Sequence, residues 1–355
     1  MKNIMSSMYG MSDSEINTAF QQGGAAARQG QTGRCRGAKE NTARTARQAQ
    51  TLTVYAPDYF TSEWGPGPTI EAEFEKVCGC DLDFVPGDLL PRIMLEGQNT
   101  RADIVIGLNT DVTAKARSTG LFAEHGQDNS LLELPIEWTD DTFLPFDWAY
   151  VSFIYDATKI DTPPTSFEEF RSMPVDQKIV IQDPRSSISG LALVLWVKAV
   201  YGDEAEAFWA DLAPRILTVT KGWSEAYGLF TDGEAPMVLS YNTSPAYHIA
   251  FEDDVTKKAA IFSEGHYGFF ELVAKTATTD NPQLADQFMA FVLSDAFQSA
   301  IPMTNFSYPS AQPSSEWPEV FANLPAPDKA LFFSEDEAEA VRAEAIEEWR
   351  RALSQ

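Results

Sequence analysis

The chain has 355 residues, with 26 Lys and Arg against 52 Asp and Glu, so its formal net charge is −26. A chain this acidic is unsuited to binding nucleic acid or an anionic membrane surface. Apolar residues make up 44% of the sequence, which is enough for packed cores, and the length suits two domains. No stretch approaches the roughly 18 consecutive apolar residues of a membrane-spanning helix.

The first 50 residues differ in composition from the rest of the chain. They contain seven basic and three acidic residues and show no hydrophobic periodicity. We therefore expect residues 1–50 to be a disordered tail outside the fold. They also lack the apolar run of roughly 7 to 15 residues that a secretory signal contains.

From Thr51 onward, short strands alternate with helices. The hydrophobic patterns predict strands at 52–56, 81–85 and 102–107 and helices at 68–77, 88–96 and 110–119. Such alternation is typical of a mainly parallel sheet with helices on both faces.

A second α/β block follows an apolar strand predicted near 148–155. Its patterns predict strands at 178–182, 216–220 and 236–241 and helices at 190–200, 204–212 and 223–231. The chain ends in helices, since one apolar face follows Asn281-Pro282 and Ser334 with Glu337 forms a capping-box pattern before another. The two blocks predict two α/β lobes.

The sequence has no nucleotide-binding, metalloprotease or serine-hydrolase motif. Three histidines, His125, His248 and His266, lack ligand spacing, and we interpret each as structural. Cys78 and Cys80 form a C-x-C pair after a predicted helix. A disulfide between them would be strained and a zinc site would need a second cluster, so we interpret the pair as structural or oxidisable.

Three predicted loops combine aromatic side chains with Gly, Ser or Asp and a fourth carries Asp with two Ser, and we interpret all four as the walls of a ligand cleft. They are 64–68 (WGPGP), 182–187 (QDPRSS), 221–227 (KGWSEAY) and 240–247 (SYNTSPAY). Aromatic faces suit a flat or cationic ligand. Ser186 and Ser187, just before a helix, suit a phosphate at the helix N-terminus. The alternative is that Trp223 and Tyr227 form one core-facing stripe and Ser187 is only an N-cap.

These segments, in this order, resemble the periplasmic thiamine-binding proteins of bacterial ABC transporters. The resemblance runs from about Leu52 to Arg351. It also includes DTFLPFDWAY at 141–150, LTVTKGWSEAYGLF at 217–230, SEGHY at 263–267 and an IPxxNxxYP segment at 301–309.

The resemblance implies the two-lobed periplasmic binding-protein fold of type II, in which each lobe is a mainly parallel sheet flanked by helices. Lobe 1 is expected at 51–146 and 271–355, and lobe 2 at 147–270. The cleft between them would hold thiamine, thiamine monophosphate or thiamine diphosphate, and a membrane permease would receive it. The resemblance further implies a periplasmic monomer that is not an enzyme, needs no cofactor and binds no nucleic acid.

Site residues follow from the resemblance residue by residue. The ligand rings are expected among four aromatic side chains, which are Trp64, Trp223, Tyr241 and Phe306. Tyr247, Ser186 and Ser187 are expected to face the hydroxyethyl or phosphate end. Asp58 is expected to accept a hydrogen bond from the aminopyrimidine.

The sequence departs from the family pattern at three places: Pro57 stands at an aromatic position, Phe306 stands at a tryptophan position, and the loop at Pro86-Gly87-Asp88 is short. The lack of an apolar signal run in residues 1–50 is also inconsistent with a periplasmic transport receptor. We therefore expect the start of the chain to be a misassigned or altered reading frame, the alternative being a cytoplasmic homologue with a tail.

Two other functions stay open at this point. A thiaminase of the same fold would need a cleft cysteine, whereas Cys78 and Cys80 end a predicted helix. A ferric-ion carrier would need adjacent tyrosines with a His or carboxylate, whereas Tyr241 and Tyr247 are six residues apart.

Overall fold

A computed structural model describes residues 50–314 and 317–354 of the chain. The disordered tail predicted for residues 1–50 lies outside the described residues, apart from Gln50. None of the helices in these two ranges is long and apolar enough to cross a membrane.

The elements follow the predicted alternation of strands and helices. The strands are β1 (Thr51–Ala56), β2 (Asp81–Pro86), β3 (Ile104–Asn109), β4 (Phe122–Ala123), β5 (Leu144–Asp156), β6 (Ile179–Gln182), β7 (Ile216–Thr220), β8 (Met237–Tyr241), β9 (Lys257–Ala260), β10 (His266–Thr276), β11 (Tyr308–Pro309) and β12 (Ala330–Leu331). The α-helices are α1 (Asp58–Thr61), α2 (Gly67–Cys78), α3 (Leu89–Glu96), α4 (Thr113–Ser118), α5 (Phe167–Ser172), α6 (Ile188–Tyr201), α7 (Ala205–Leu212), α8 (Trp223–Thr231), α9 (Pro245–Glu252), α10 (Pro282–Val292), α11 (Asp295–Gln298), α12 (Ile301–Thr304), α13 (Glu319–Ala322) and α14 (Glu335–Leu353).

The first group of strands has the order β2-β1-β3-β10-β5. Strand β1 is parallel to both β2 and β3. Leu52 and Val54 of β1 pack in one core with Ile70 and Phe74 of α2. Helix α2 ends at Gly79, whose left-handed φ of 62° lets its N–H bond the carbonyl of Glu75.

The second group of strands has the order β5-β8-β6-β7, with β6 parallel to both β7 and β8. Helix α6 packs on these strands and is buried on nearly all sides from Ser189 to Lys198. An apolar helix of this kind can exist only inside a core. Trp196 of α6 contacts Phe153 of β5 and Phe167 of α5 at ring-centroid distances of 6.4 and 4.6 Å.

Strands β5 and β10 join the two groups and run antiparallel to each other. Strand β5 pairs with β10 from Leu144 to Tyr150 and with β8 from Val151 to Tyr155. The sheet is therefore mixed rather than mainly parallel. A chain that leaves one strand group and later returns to it must cross in both directions, which explains the antiparallel pair.

The C-terminal helix α14 begins with the predicted capping box, in which Ser334 and Glu337 bond each other's backbone N–H groups. Its buried residues Ala345 and Trp349 join the core formed by α6 and α7. A buried ion pair, 2.8 Å from Lys198 Nζ to Glu348 Oε1, also joins α14 to α6. The lobe boundaries at 146/147 and 270/271 stay predictions.

Cys78, the last residue of α2, is bonded to Cys80 in a disulfide. The pair therefore exists in its oxidised form, and neither sulfur is a free thiol. Both cysteines pack at the edge of the first core.

Candidate functional site

Two of the predicted ring-contacting side chains lie at the end of β8. Trp223, the first residue of α8, donates from its indole Nε1 to Ser240 Oγ at 2.9 Å. Tyr241 follows Ser240 in the chain, and its hydroxyl lies 2.5 Å from Ser189 Oγ of α6. Its ring also packs on Phe269 of β10, with the centroids 4.8 Å apart. The structure thus brings Trp223 and Tyr241 to one edge of the second strand group.

The core-packing alternative describes Tyr227 correctly but fits Trp223 only in part. Tyr227 is buried with Phe230, and its hydroxyl lies 2.8 Å from His248 Nε2. Trp223 stacks on Tyr227 with centroids 4.7 Å apart and an angle of 19°, yet remains only half-buried. One face of the indole is therefore covered by Tyr227, which holds the ring in place.

The N-terminus of α6 lies next to this aromatic pair. Ser187 caps the helix, because its Oγ accepts the N–H of Gly190 at 3.3 Å. Ser186 donates from Oγ to the carbonyl of Lys221 at 2.7 Å, which ties the loop to the start of α8. A Cβ at Gly190 would lie 2.5 Å from the carbonyl oxygen of Gln182, so only glycine lets α6 begin so close to β6.

Tyr247 and Phe306 form a third part of the site together with a residue that the sequence analysis missed, Phe251. Their ring centroids lie 5.4 Å apart for Tyr247 and Phe306 and 6.0 Å apart for Phe251 and Phe306. Phe251 is 53% exposed and Tyr247 is 38% exposed. Phe306 has a left-handed φ of 53°, which is a strained conformation for a bulky side chain. Strain of this kind is concentrated at functional sites.

Asp58 begins α1, directly after β1, and Trp64 lies between α1 and α2. Trp64 is 62% exposed, and Asp58 is exposed at the start of α1. The backbone requires glycine at position 65 of the WGPGP motif, because a Cβ at Gly65 would lie 2.2 Å from the carbonyl oxygen of Tyr59. The roles assigned to Trp64 and Asp58 stay predictions.

A buried pair of carboxyl groups, which the sequence analysis missed, lies where β5 and β10 meet. Asp147 and Glu271 are cross-strand partners in the antiparallel register. They are 0% and 4% exposed. Asn305 Nδ2 donates to both, at 2.5 Å to Asp147 Oδ2 and 3.1 Å to Glu271 Oε2, and the Tyr59 hydroxyl donates to Glu271 Oε1. The only signal in the sequence was a charged residue inside each of two apolar runs.

Burial sets the ionisation of this carboxyl pair. It raises the pKa of Asp147 well above its usual range, and the neighbouring charge of Glu271 raises it further. Burial also raises the pKa of Glu271. The pKa of the Tyr241 hydroxyl is raised well above its usual range by burial and then by Glu271. This part of the site therefore disfavours added negative charge and favours a proton or a cation.

A third buried carboxyl group, Asp111, lies between β3 and α4 and is fully hydrogen-bonded. Its two oxygens accept from the Tyr267 hydroxyl and from Asn109 Nδ2, each at 2.8 Å. Burial raises the pKa of Asp111 to about 6. Its charge also acts on Tyr241, so Asp111 contributes to the negative potential of the site.

Each of the three histidines is hydrogen-bonded. His125 bonds the carbonyl of Asp140, and His266 bonds the carbonyl of Val151. His248 lies close to Glu252 and Asp254, so that these three side chains could hold a metal ion. Asp254 already accepts from Thr256 and Lys257, and the nearby Lys257 ammonium opposes a second cation.

Comparison with known proteins places the chain in a class. Residues 99–341 match the family described as bacterial extracellular solute-binding protein. The chain belongs to this family, and the predicted two-lobed fold class is confirmed.

Individual relatives are more specific than the family. The chain is 46% identical over 313 residues to the thiamine-binding periplasmic protein of Brucella suis, covering 87% of this chain and 94% of that protein. It is 46% identical over 307 residues to the thiamine-binding periplasmic protein of Escherichia coli K12, covering 85% and 93%. The predicted resemblance is therefore confirmed, as is the periplasmic location.

Solved structures agree with these relatives. A structure described as a periplasmic thiamin binding protein has a TM-score of 0.85 and 44% identity, covering 89% of this chain and all of that one. Iron-bound HitA from Pseudomonas aeruginosa has a TM-score of 0.69 but only 21% identity, so it supports the fold alone.

Proposed function

We propose that the protein captures thiamine and its mono- and diphosphate esters in the cleft between its lobes, and delivers them to a membrane permease. The observation that carries the proposal is the position of Trp223 and Tyr241 at the end of β8, where Ser240 bonds the indole and Ser189 bonds the phenol. Relatives at 46% identity that are named for thiamine binding support the same ligand.

The chemistry of this edge suits thiamine. Its two flat rings can stack on Trp223, Tyr241 and Phe306, and the positive charge of its thiazolium ring is attracted by aromatic faces. The hydroxyethyl group or its phosphate then extends toward Ser186 and Ser187. There the N-terminus of the 14-residue helix α6 favours negative charge.

Binding without chemical change is part of the proposal. Cleavage of thiamine by a thiaminase needs an activated nucleophile in the cleft. Cys78 and Cys80, the two cysteines of the described residues, are bonded to each other at the C-terminal end of α2. We expect thiamine to be recovered intact after prolonged incubation with the protein, as measured by mass spectrometry. Cleavage that depends on either cysteine would contradict this.

The experiment that tests the proposal is a titration of the purified full chain with thiamine, thiamine monophosphate and thiamine diphosphate. Trp223 stacks on Tyr227 and contacts the expected ligand, so saturable quenching of tryptophan fluorescence is expected. Ferric citrate serves as the control ligand. Binding of ferric ion together with a flat response to all three thiamine compounds would favour an iron carrier instead.

A further inference from the structure

The carboxyl pair Asp147 and Glu271 lacks a counter-ion. Within residues 50–314 and 317–354, neither group forms an ion pair with a lysine, arginine or histidine. Asp147 Oδ1 is buried and has no hydrogen-bond partner. An unpaired buried carboxylate is costly, so a buried pair must be neutralised by a proton, a cation or both.

The groups that face the pair come from every element packed around it. Tyr59 from α1 and Asn305 after α12 bond it directly. Tyr241 from β8 and Asp111 from the segment after β3 act on the same region electrostatically. None of these four side chains carries a positive charge. The pair is thus enclosed by neutral donors and by one further acid.

The position of the pair links it to the proposed ligand. Asn305, which bonds both carboxyl groups, directly precedes Phe306, and the charge of Glu271 acts on the Tyr241 hydroxyl. The pair is thus linked to two of the expected ring-contacting residues, and we expect a ring held by them to lie near the carboxyl groups.

We propose that Asp147 and Glu271 share a proton while the cleft is empty and release it to solvent when the ligand's cationic ring arrives. The proposal rests on the proposed function, since it assigns the subsite for the positive charge of thiamine. The carboxyl O–H bond breaks, its electron pair stays on the carboxylate and the proton goes to solvent, while the permanent charge of the ligand takes the place of the proton. The pair then selects cationic over neutral heteroaromatic ligands.

The direction of the pH dependence follows from this exchange. Protons and the cationic ring compete for the same carboxyl oxygens, so affinity should fall as pH drops through the raised pKa values of the pair. One competing proton changes the affinity by about tenfold per pH unit in that range. Above the range, affinity should reach a plateau.

The test is isothermal titration calorimetry of the full chain with thiamine between about pH 5 and about pH 8.5. It is repeated in phosphate and Tris buffers, whose ionisation heats differ, so that released protons are counted. The neutral probe is 4-amino-5-hydroxymethyl-2-methylpyrimidine, which shares the titrating pyrimidine of thiamine but lacks the thiazolium. We expect proton release with thiamine and none with this pyrimidine alcohol.

Three isosteric variants identify the carboxyl groups involved. Glu271→Gln and Asp147→Asn should weaken thiamine binding at the plateau by about tenfold or more, flatten its pH profile and leave the pyrimidine alcohol unaffected. Asp111→Asn is the comparison variant: it removes an equally buried acid that is not a cross-strand partner of the pair, so it should weaken thiamine binding less and should still release the proton. Thermal midpoints of the empty variants check folding.

The outcomes separate the two proposals. If the parent protein binds thiamine with no proton release and a flat pH profile, the shared-proton proposal is wrong and the proposed function stands. The same follows if Glu271→Gln binds as the parent does. If the parent protein binds neither thiamine nor its esters, both proposals fail. The buffer comparison on the parent protein tests the shared-proton proposal even if a variant does not fold.

Discussion

Trp223 packs on the core through one ring face while the side chain stays half-buried. One face of its indole is covered by Tyr227 and its Nε1 is bonded to Ser240. We predict that Trp223→Ala weakens thiamine binding by roughly 1 to 3 kcal/mol, because a stacked and partly cationic contact is lost. Calorimetry measures the affinity, and Trp223→Phe, which keeps a ring face, should lose less. Unchanged affinity with a lower thermal midpoint would assign Trp223 to the core alone.

Phe306 is held in a strained backbone conformation where the family pattern has a tryptophan. We predict that Phe306→Trp preserves folding and tightens thiamine binding by up to about 1 kcal/mol, the scale of one added aromatic contact. The Tyr59 hydroxyl is bonded to Glu271, so we do not expect Tyr59 to occupy the space that the larger indole ring needs. Weaker binding at unchanged stability would mean that Tyr247 and Phe251 have adapted to the smaller ring.

At the scale of elements, α14 depends on one buried ion pair. Glu348 is 5% exposed, and its removal would leave the Lys198 ammonium buried beside only the more distant Glu344 carboxylate, at 3.5 Å. We predict that Glu348→Ala lowers the free energy of unfolding by about 3 kcal/mol, as for other broken buried pairs. Urea denaturation measures it. The double variant Lys198→Met with Glu348→Leu is the control and should recover most of the loss; an equal loss in both would assign the effect to packing.

Helix α6 depends on its glycine in a different way. We predict that Gly190→Ala destabilises the protein by roughly 1 to 3 kcal/mol, because the new Cβ meets a backbone carbonyl that cannot move aside. It should also weaken binding of thiamine monophosphate more than binding of thiamine, since the N-terminus of α6 is displaced. Gly228→Ala in α8 is the control, because a Cβ there meets no atom within 4 Å. Equal losses for both ligands would argue against a phosphate role.

Element boundaries were largely predictable, and the exceptions have physical causes. The predicted helix at 190–200 is α6, Ile188–Tyr201, because its apolar run is continuous. The predicted strand near 148–155 begins earlier, at Leu144, since Phe146 is also buried. Strand β10 was missed, because Glu271 interrupts its apolar pattern.

The aromatic part of the site was predictable and the acidic part was not. Trp223 and Tyr241 lie in local motifs, where spacing along the chain carries the information. Asp147 and Glu271 become neighbours only through the register of two strands more than a hundred residues apart. No local pattern encodes that register, so the carboxyl pair is visible only once the sheet is formed.

At the scale of the whole molecule, buried titrating groups act on stability in opposite directions. Burial lowers the pKa of His266 from 6.5 to about 4, so it stabilises the fold above pH 6.5 and this contribution is lost as pH falls toward 4. Asp111 has its pKa raised from 3.8 to about 6, so its contribution is greatest below 3.8 and is lost as pH rises through 6. In the parent protein, the free energy of unfolding reports only the sum of these two pH-dependent contributions.

Single variants separate these two contributions. We predict that His266→Gln removes a stability loss of roughly 3 kcal/mol between pH 6.5 and 4, making the free energy of unfolding less sensitive to acid. Asp111→Asn should have the opposite effect and steepen the loss in acid. Urea denaturation across this pH range measures both. Parallel pH profiles for the parent and both variants would show that neither group controls acid stability.

The ladder of hydrogen bonds between β5 and β10 has a mechanical consequence. Paired strands cannot slide along each other without breaking several bonds at once, but they can bend and twist at little cost. Movement of one lobe against the other is thereby confined to rotation, a hinge rather than a shear. Asp147 and Glu271 pair across these two strands, so a rotation about the strands would have its shortest lever arm at the carboxyl pair and would change their geometry less than that of side chains farther from the strands.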